Sequence, residues 1–586
     1  MGEFVGLDPS GAHELIRHME TSKGSLAATR PGLESAITRA EADWEGSGGV
    51  AAMHRAYAFL QDSQRDLKWR IDAITQIHAA PGAGDDLLTA KFPFASEEAA
   101  TAAGLKAGTA VASAVKDHQA TGTPDSWRAV ESALKAGGAG VNDPAYAAAL
   151  LGAIGGPAAF RTIFGQYMSA TSSGPRRGLP PKEMAQAKSS LGPLAAAFAA
   201  ADRTGRLASQ WRKELLEKAN PATLSAVVAL ARQSQSFRNL VATNLLKLPT
   251  AGYRADSVDR DWNTYWLLKS YESDPEGLQR LLAEQAEVPA LLFDPDLAKA
   301  TPEYGKTLSG LLDKALSENT GTAFTREAAW VNLIKGLGSA GSERLTGYFS
   351  TLENSPINRV LAKRLVPYLD ELTLAQVHAK NPELGMGPQK PWTGLHPDVM
   401  ARFLGAVIQN RTAMNTLQKG FRDHLLKIDI GKAYLFSTDS KERAEFIRSL
   451  TLAGAHANLL LGGSTYAELH HDEKAAFMAE VILLPIDFVL GKLPGGAALT
   501  TGAGYLGDRP KGELGEIIQD YFDKKTPDDA ETVADRLVRA QLEWVQNSYA
   551  INGHPPFTNE ELKLLRDALM GELSSALTDA LKARGG

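Results

Sequence analysis

The chain has 586 residues, of which 44% are hydrophobic and 22% charged, and it contains no cysteine. This composition is typical of a globular protein with several domains, and it excludes wholesale disorder, disulfide bonds and cysteine nucleophiles. The 62 Lys and Arg residues against 68 Asp and Glu leave a formal net charge of −6, which argues against a nucleic-acid partner or a general attraction to anionic lipid.

The N-terminal segment, MGEFVGLDPSGAHELIRHME, has no basic stretch followed by an apolar run. This predicts that there is no cleavable signal peptide. No run of about 18 uncharged apolar residues occurs either, so we expect no ordinary transmembrane helix. The localisation predicted from these features is either secretion by a signal-peptide-independent route or the cytoplasm before export.

Apolar residues recur at helical spacing along nearly the whole chain, and alternating strand-like patterns are almost absent. Many helix starts are marked by a small polar residue followed by proline, because the side chain caps free amides and proline fits the first helical position. Examples are Thr123-Pro124, Asp143-Pro144, Asn220-Pro221 and Asp274-Pro275. We therefore predict an all-α protein, with an N-terminal antiparallel helical hairpin followed by a large multi-helix body.

Two apolar seams with steps of three, four or seven residues flank a glycine-rich segment near the N-terminus. The seams predict two helices packed along a coiled-coil-like line, and the segment WEGSGG predicts a tight turn between them. In that turn Gly46, Gly48 and Gly49 are expected to end the first helix. The seam residues are Leu15, Met19, Leu26, Leu33, Ile37, Ala40 and Trp44, then Met53, Tyr57, Leu60, Leu67, Ile71 and Ile74.

Residues 8–80 resemble the WXG100 (ESAT-6-like) superfamily, in which two helices of similar length flank a Trp-x-Gly turn, here Trp44, Glu45 and Gly46. The resemblance implies export by a type VII secretion system and pairing with another hairpin of the same type. The family's export signal, Tyr-x-x-x-Asp/Glu, is missing, because the fourth residue after Tyr57 is Gln61. Pro31 is also expected to interrupt and kink the first helix.

Residues 143–164 and the Ala-rich body after them resemble long, uncharacterised actinobacterial proteins that carry such hairpins at the N-terminus. Segments rich in Gly, Pro and Ser at 80–86, 170–181 and 385–392 predict linkers. The resulting domains are a WXG-like hairpin at 1–80, a helical domain at 87–170 and a large helical body at 182–586. The third segment makes a position near 390 a candidate boundary within that body.

Patterns that could carry chemistry are few. Residues 336–341 fit Gly-x-Gly-x-x-Gly, and residues 305–307 read Gly-Lys-Thr, but both stand in helical surroundings without the strand that phosphate-binding loops require. The group His470-His471-Asp472-Glu473 is dense in metal-ligand residue types, but neighbours on a helix point in different directions. We therefore assign no catalytic residue, metal ligand or cofactor from the sequence.

The most hydrophobic part of the chain is residues 475–506. Pro485 and Pro494 are expected to divide it into pieces too short to span a bilayer as helices. We expect a buried helical hairpin there. The alternative is a membrane-active segment, in which Leu484, Ile486, Val489 and Leu490 would contact lipid.

Three functions from different classes follow. The first, which we prefer, is a non-enzymatic type VII secretion substrate or secretion-associated interaction protein, whose partner is a WXG-type hairpin or the secretion machinery. The second is a membrane-active helical toxin that uses residues 475–506. The third is an enzyme with a site assembled from dispersed residues.

Overall fold

The computed structural model confirms the all-α class. Its one sheet within the described residues is an antiparallel ribbon of β1 (Phe4–Leu7) and β2 (Leu88–Lys91), with Phe4 opposite Lys91. The described residues are 4–39, 46–77, 88–170, 178–247, 262–294, 297, 302–339, 356–380, 382, 390–427, 437–467, 469–492, 509–523, 530–551 and 557–567.

These residues form two compact units, one that ends at Asp274 and one that begins at Pro275. Residues of the predicted hairpin domain and of the predicted second domain lie together in the first unit. Its helices are α1 (Pro9–Arg39), α2 (Gly46–Ile77), α3 (Glu97–Thr121), α4 (Pro124–Ala136), α5 (Pro144–Ala153), α6 (Gly156–Ala170), α7 (Pro181–Ser190), α8 (Gly192–Arg203), α9 (Ser209–Lys218), α10 (Pro221–Leu230), α11 (Gln235–Leu246) and α12 (Trp262–Lys269).

The second unit is also helical, and a further helical segment at 559–567 follows its last long helix. Its helices are α13 (Pro275–Glu284), α14 (Val288–Leu292), α15 (Pro302–Ala315), α16 (Ala323–Ser339), α17 (Pro356–Leu365), α18 (Leu369–Lys380), α19 (Pro397–Ile408), α20 (Arg411–Lys427), α21 (Ser440–Tyr466), α22 (His471–Lys492), α23 (Arg509–Asp523) and α24 (Ala530–Ile551).

Several helix starts have the polar-Pro cap that the sequence predicts. The Asp143 carboxylate accepts from the amides of Ala145 at 2.9 Å and Tyr146 at 3.0 Å at the start of α5. The Asn220 side chain accepts from the Thr223 amide at 2.7 Å at the start of α10. These side chains satisfy amides that lack a partner within the helix.

Helices α1 and α2 lie side by side, with the Lys23 ammonium donating to Gln64 Oε1 at 3.1 Å. Two local predictions were wrong. Gly46, Gly48 and Gly49 do not end the first helix but belong to α2, because glycine permits a turn without requiring one and costs a helix only about 1 kcal/mol. The first helix also continues through Pro31 instead of being interrupted there.

The first unit packs closely where its helices carry small residues. A Cβ at Gly104 would lie 2.3 Å from the Tyr146 carbonyl oxygen, so only glycine lets α3 approach α5 this closely. Next to this contact, α6, α8, α9 and α11 contribute an aromatic core. Its members are Phe160, Phe198, Trp211 and Phe237, with ring centroids 4.9–6.1 Å apart in the contacting pairs.

In the second unit, one close helix contact bears on the site described below. A Cβ at Gly420 of α20 would lie 2.7 Å from Val366 Cγ2 and 3.4 Å from Leu369 Cδ1. The absence of a side chain therefore lets α20 lie directly against the start of α18. His424 follows Gly420 by one helical turn, on the same face, and Asp370 follows Leu369.

Candidate functional site

Most side chains of the N-terminal helices α1 and α2 are exposed or only partly buried. No side chain is buried among the described residues 13–36 and 48–68. The seam residues Leu26 and Leu60 are only half-buried, and Leu15 is 48% exposed. Phe59 lies off the predicted seam and is 70% exposed. Each helix therefore leaves apolar surface beyond the contact that the two make with each other.

The C-terminal end of α2 behaves differently, because it is anchored in the first unit. Trp69 is fully buried, packs on Phe92 with ring centroids 5.6 Å apart and donates its indole N–H to the Asp143 carboxylate at 3.1 Å. Ile71, Ala73 and Ile74 are buried as well. Burial raises the pKa of Asp143, and the hydrogen bonds from the amides of α5 and from Trp69 oppose that rise.

Of the residues singled out in the predicted turn, Trp44 and Glu45 lie outside the described residues, and Gly46 is the first residue of α2. In the apolar segment, the helix α22 runs through Pro485, so the prediction that this proline divides the segment was wrong. Packing compensates for the lost backbone hydrogen bond, since Val481, Ile482 and Leu483 before it are buried. Leu484, Ile486, Val489 and Leu490 belong to this helix, but their side chains lie outside the described ones, as do residues 493–506.

Among the described residues, no single helix is both long enough and apolar enough to cross a membrane. One bent pair, Pro144–Ala153 with Gly156–Met168, reaches that length and composition only when its two helices are taken together, and they meet at 81°.

The described residues of the glycine-rich patterns lie in helices. Gly305, Lys306 and Thr307 lie within α15, and Gly336 and Gly338 lie within α16, so neither forms a phosphate-binding loop in the described residues. In the His470–Glu473 group, Asp472 accepts a hydrogen bond from Gln519 Nε2 at 2.7 Å. That group accordingly begins α22 and connects it to α23.

A different set of metal-ligand residue types comes together in the second unit. Asp370 of α18, His424 of α20 and His456 of α21 each offer one ligand atom, and these three atoms lie within 4.8 Å of one another. His424 Nε2 is in contact with Asp370 Oδ1. The two imidazole rings stack at 12° with centroids 5.5 Å apart.

His456 is the most deeply placed member, with 1% of its surface exposed. Its Nδ1 lies 2.8 Å from the Leu452 carbonyl oxygen one turn earlier, so Nδ1 carries the proton and donates it there. Burial, together with the charge of His424, lowers the pKa of His456 to about 4. The ring is therefore neutral at pH 7, and its buried Nε2 has a lone pair with no hydrogen-bond donor.

Asp370 stands at the solvent side of the cluster, where its side chain is 57% exposed against 27% for His424. Burial opposes ionisation of this carboxyl group, but the hydrogen bond and charge of His424, with the charge of His456, outweigh it and lower the pKa of Asp370. The carboxylate is ionised at neutral pH and can act as an anionic ligand.

The sequence reasoning above does not find this cluster. Its members are 54 and 32 positions apart, so no local spacing connects them. The available signal is His456 itself, a lone histidine in the apolar run LAGAHANLLLGG, whose neighbours Ala455 and Ala457 are buried. A histidine in such a run is more often a core residue than a ligand, and the other two members come from distant helices that pack against α21.

Fold and sites together define an all-helical protein with a sparsely buried N-terminal helix pair and a three-residue histidine–carboxylate cluster. No protein-family model matches the chain, and no curated protein matches it. Among solved structures it is similar to a chain described as "Circular tandem repeat protein with novel repeat topology and enhanced subunit contact surfaces", at 11% identity and a TM-score of 0.19. That match covers 83% of this chain and 98% of the other, and a TM-score this low supports no conclusion about fold or function.

Proposed function

We propose that this protein is a non-enzymatic helical interaction protein associated with type VII secretion. In this proposal α1 and α2 form an antiparallel hairpin of the WXG100 kind, and a second helical hairpin of that kind pairs with it. The observation that supports the proposal is the exposure of the two helices. They are long and carry apolar seams, yet no described side chain in 13–36 or 48–68 is buried.

The partner that fits this surface is itself helical. Two helices that share a narrow seam leave the flanks of the seam open, and a second pair laid along them completes a four-helix bundle. Leu15 and Phe59 supply apolar area for such a contact. The buried end at Trp69 holds the pair on the first unit, so the rest of both helices remains available to the partner.

Export is tested in an actinobacterial host that has a type VII secretion system. The tagged full-length chain is expressed with and without the secretion ATPase, and culture medium and cells are assayed for it beside a cytoplasmic marker. We expect the chain in the medium only when the ATPase is present. An equal amount in the medium of both strains contradicts the proposal. None in either strain excludes an exported substrate, and the pairing test then decides whether the chain is a secretion-associated interaction protein.

Pairing is tested by co-purification with small WXG-type hairpin proteins of the same host. We expect Leu15→Asp and Phe59→Asp to abolish co-purification, since each places a charge in the apolar contact. The matched controls are Leu240→Asp and Phe324→Asp, at side chains with similar exposure, 46% and 66%. Equal loss in all four variants would indicate a general defect and not a surface on α1 and α2.

Liposome leakage separates this function from the membrane-active alternative. An interaction protein should leave dye-filled anionic vesicles intact at neutral and acidic pH. Leakage that is lost in Val489→Asp, with the fold retained by circular dichroism, would favour a toxin that uses residues 475–506.

A further inference from the structure

We propose that Asp370, His424 and His456 form a binding site for one divalent first-row transition-metal ion at the junction of α18, α20 and α21. The site is independent of the N-terminal helices and of their proposed partner. It lies within the second unit, and each ligand comes from a different helix.

The donor set fits such an ion. Two imidazoles and one carboxylate suit zinc and its neighbours in the first row, whereas magnesium and calcium prefer oxygen ligands alone. The three donor atoms already lie within 4.8 Å of one another. Because Asp370 is the most exposed of the three, its side chain can rotate and bring a carboxylate oxygen to a metal–oxygen distance of about 2.0–2.2 Å.

His456 provides the strongest support, because its second nitrogen is prepared in the way that metal-binding histidines are. Nδ1 donates to the Leu452 carbonyl oxygen, which fixes the ring and directs the free Nε2 lone pair away from its own helix turn. Phe421 packs edge-on against the same ring, with centroids 5.2 Å apart. A buried ring nitrogen without a partner is costly, and a metal ion would supply that partner.

The gradient of exposure across the cluster gives the ion a way in. Asp370 is open to solvent, His424 is partly covered and His456 is buried. An ion can therefore meet the carboxylate first and the inner imidazole last. Three protein ligands leave a fourth position, on the side of Asp370, for water or an exogenous ligand.

The test uses the full-length chain, stripped of metal with a chelator and dialysed. Zinc is titrated by calorimetry, the bound metal is counted by elemental analysis, and Tm is recorded with and without zinc. We expect one zinc ion per chain and a rise in Tm of several degrees, because the ion binds the folded chain in preference to the unfolded one. Cobalt(II) provides a second probe, whose visible absorption reports the coordination number and geometry of the bound ion.

The variants His456→Leu, His424→Ala and Asp370→Asn should each weaken zinc binding at least about tenfold and remove the rise in Tm. The matched control is His396→Asn. His396 also lies beside an aspartate, with its Nδ1 3.6 Å from Asp398 Oδ2, but both side chains are about two-thirds exposed. We expect this control to bind zinc as the wild type does.

Wild-type protein that binds no zinc, or binds it without saturation, overturns the proposal. So does a series in which His456→Leu and Asp370→Asn bind zinc as tightly as the wild type, since the ion would then lie elsewhere. Asp370→Asn is the decisive variant if His456→Leu or His424→Ala fails to fold, because an exposed carboxylate is not needed for the fold.

Discussion

Two polar clusters, one in each unit, show what separates a structural cluster from a candidate ligand site. In the first unit, the buried Asp202 accepts from Arg212 Nε at 2.6 Å and Nη2 at 3.0 Å, and from Ser234 Oγ at 2.5 Å. In the second unit, the buried His456 keeps an unpartnered Nε2. Both are buried polar groups, but only the second has hydrogen-bonding capacity left over. A buried ring nitrogen without a partner, next to two further ligand groups, therefore distinguishes the second cluster from the first.

The largest effect on stability is expected at Asp202, whose carboxylate is hydrogen-bonded on both oxygens. Asp202→Ala leaves the partly exposed Arg212 and Ser234 without their shared acceptor, and the loss of this ion pair and of both partners' hydrogen bonds should lower the free energy of unfolding by about 3 kcal/mol. Urea denaturation of the metal-free protein measures it. The control Glu217→Ala, at an exposed carboxylate two turns from the start of α9, should cost under about 0.5 kcal/mol. A cost for Asp202→Ala as small as the control's would show that the complete cluster is not structural.

A smaller effect on stability is expected at Gly420, where α20 packs against the residues that precede Asp370. Gly420→Val places a side chain against Val366 and should cost about 2 kcal/mol through overpacking. It should also weaken zinc binding, because α20 must move away from α18. Gly310→Val, in a helix with open space at that position, should change stability by less than about 0.5 kcal/mol. Zinc binding equal to wild type in Gly420→Val would contradict the link between this contact and the site.

The third change separates stability from ligand binding. His456→Leu removes a buried polar group that is only half satisfied, so the metal-free protein should keep its stability to within about 1 kcal/mol or gain some. Denaturation in excess chelator measures this. A loss above about 3 kcal/mol would mean that the His456 ring has a structural role like that of Asp202.

The smallest effect is expected at the rim of the second cluster. Asp370→Asn alters an exposed group and should change the stability of the metal-free protein by less than about 0.5 kcal/mol. Thermal scans with chelator provide the comparison, with Asp398→Asn as the exposed control. A large loss in Asp370→Asn alone would assign this carboxylate a role in folding.

The helical class and many helix starts could be predicted, because periodicity and polar-Pro caps are local properties of the sequence. The cap at Asp143 is an example, since both of the amides it accepts from lie within three residues. The continuation of α22 through Pro485 could not be predicted in this way, because distant packing offsets a local penalty. The cluster of Asp370, His424 and His456 is wholly non-local, because it forms only when α18, α20 and α21 pack together, and the close approach at Gly420 is one of the contacts that hold them.

The scarcity of buried side chains along α1 and α2 has a consequence for how the chain opens. Without buried contacts, most of these two helices is held by their own backbone hydrogen bonds and a thin seam, so they should open locally at a small fraction of the global unfolding free energy. Backbone amides of residues 13–36 and 48–68 should exchange with deuterium within the first time points, and those from Trp69 onward only with the core. The boundary between the fast and slow regions would lie where the Trp69 indole enters the protein interior.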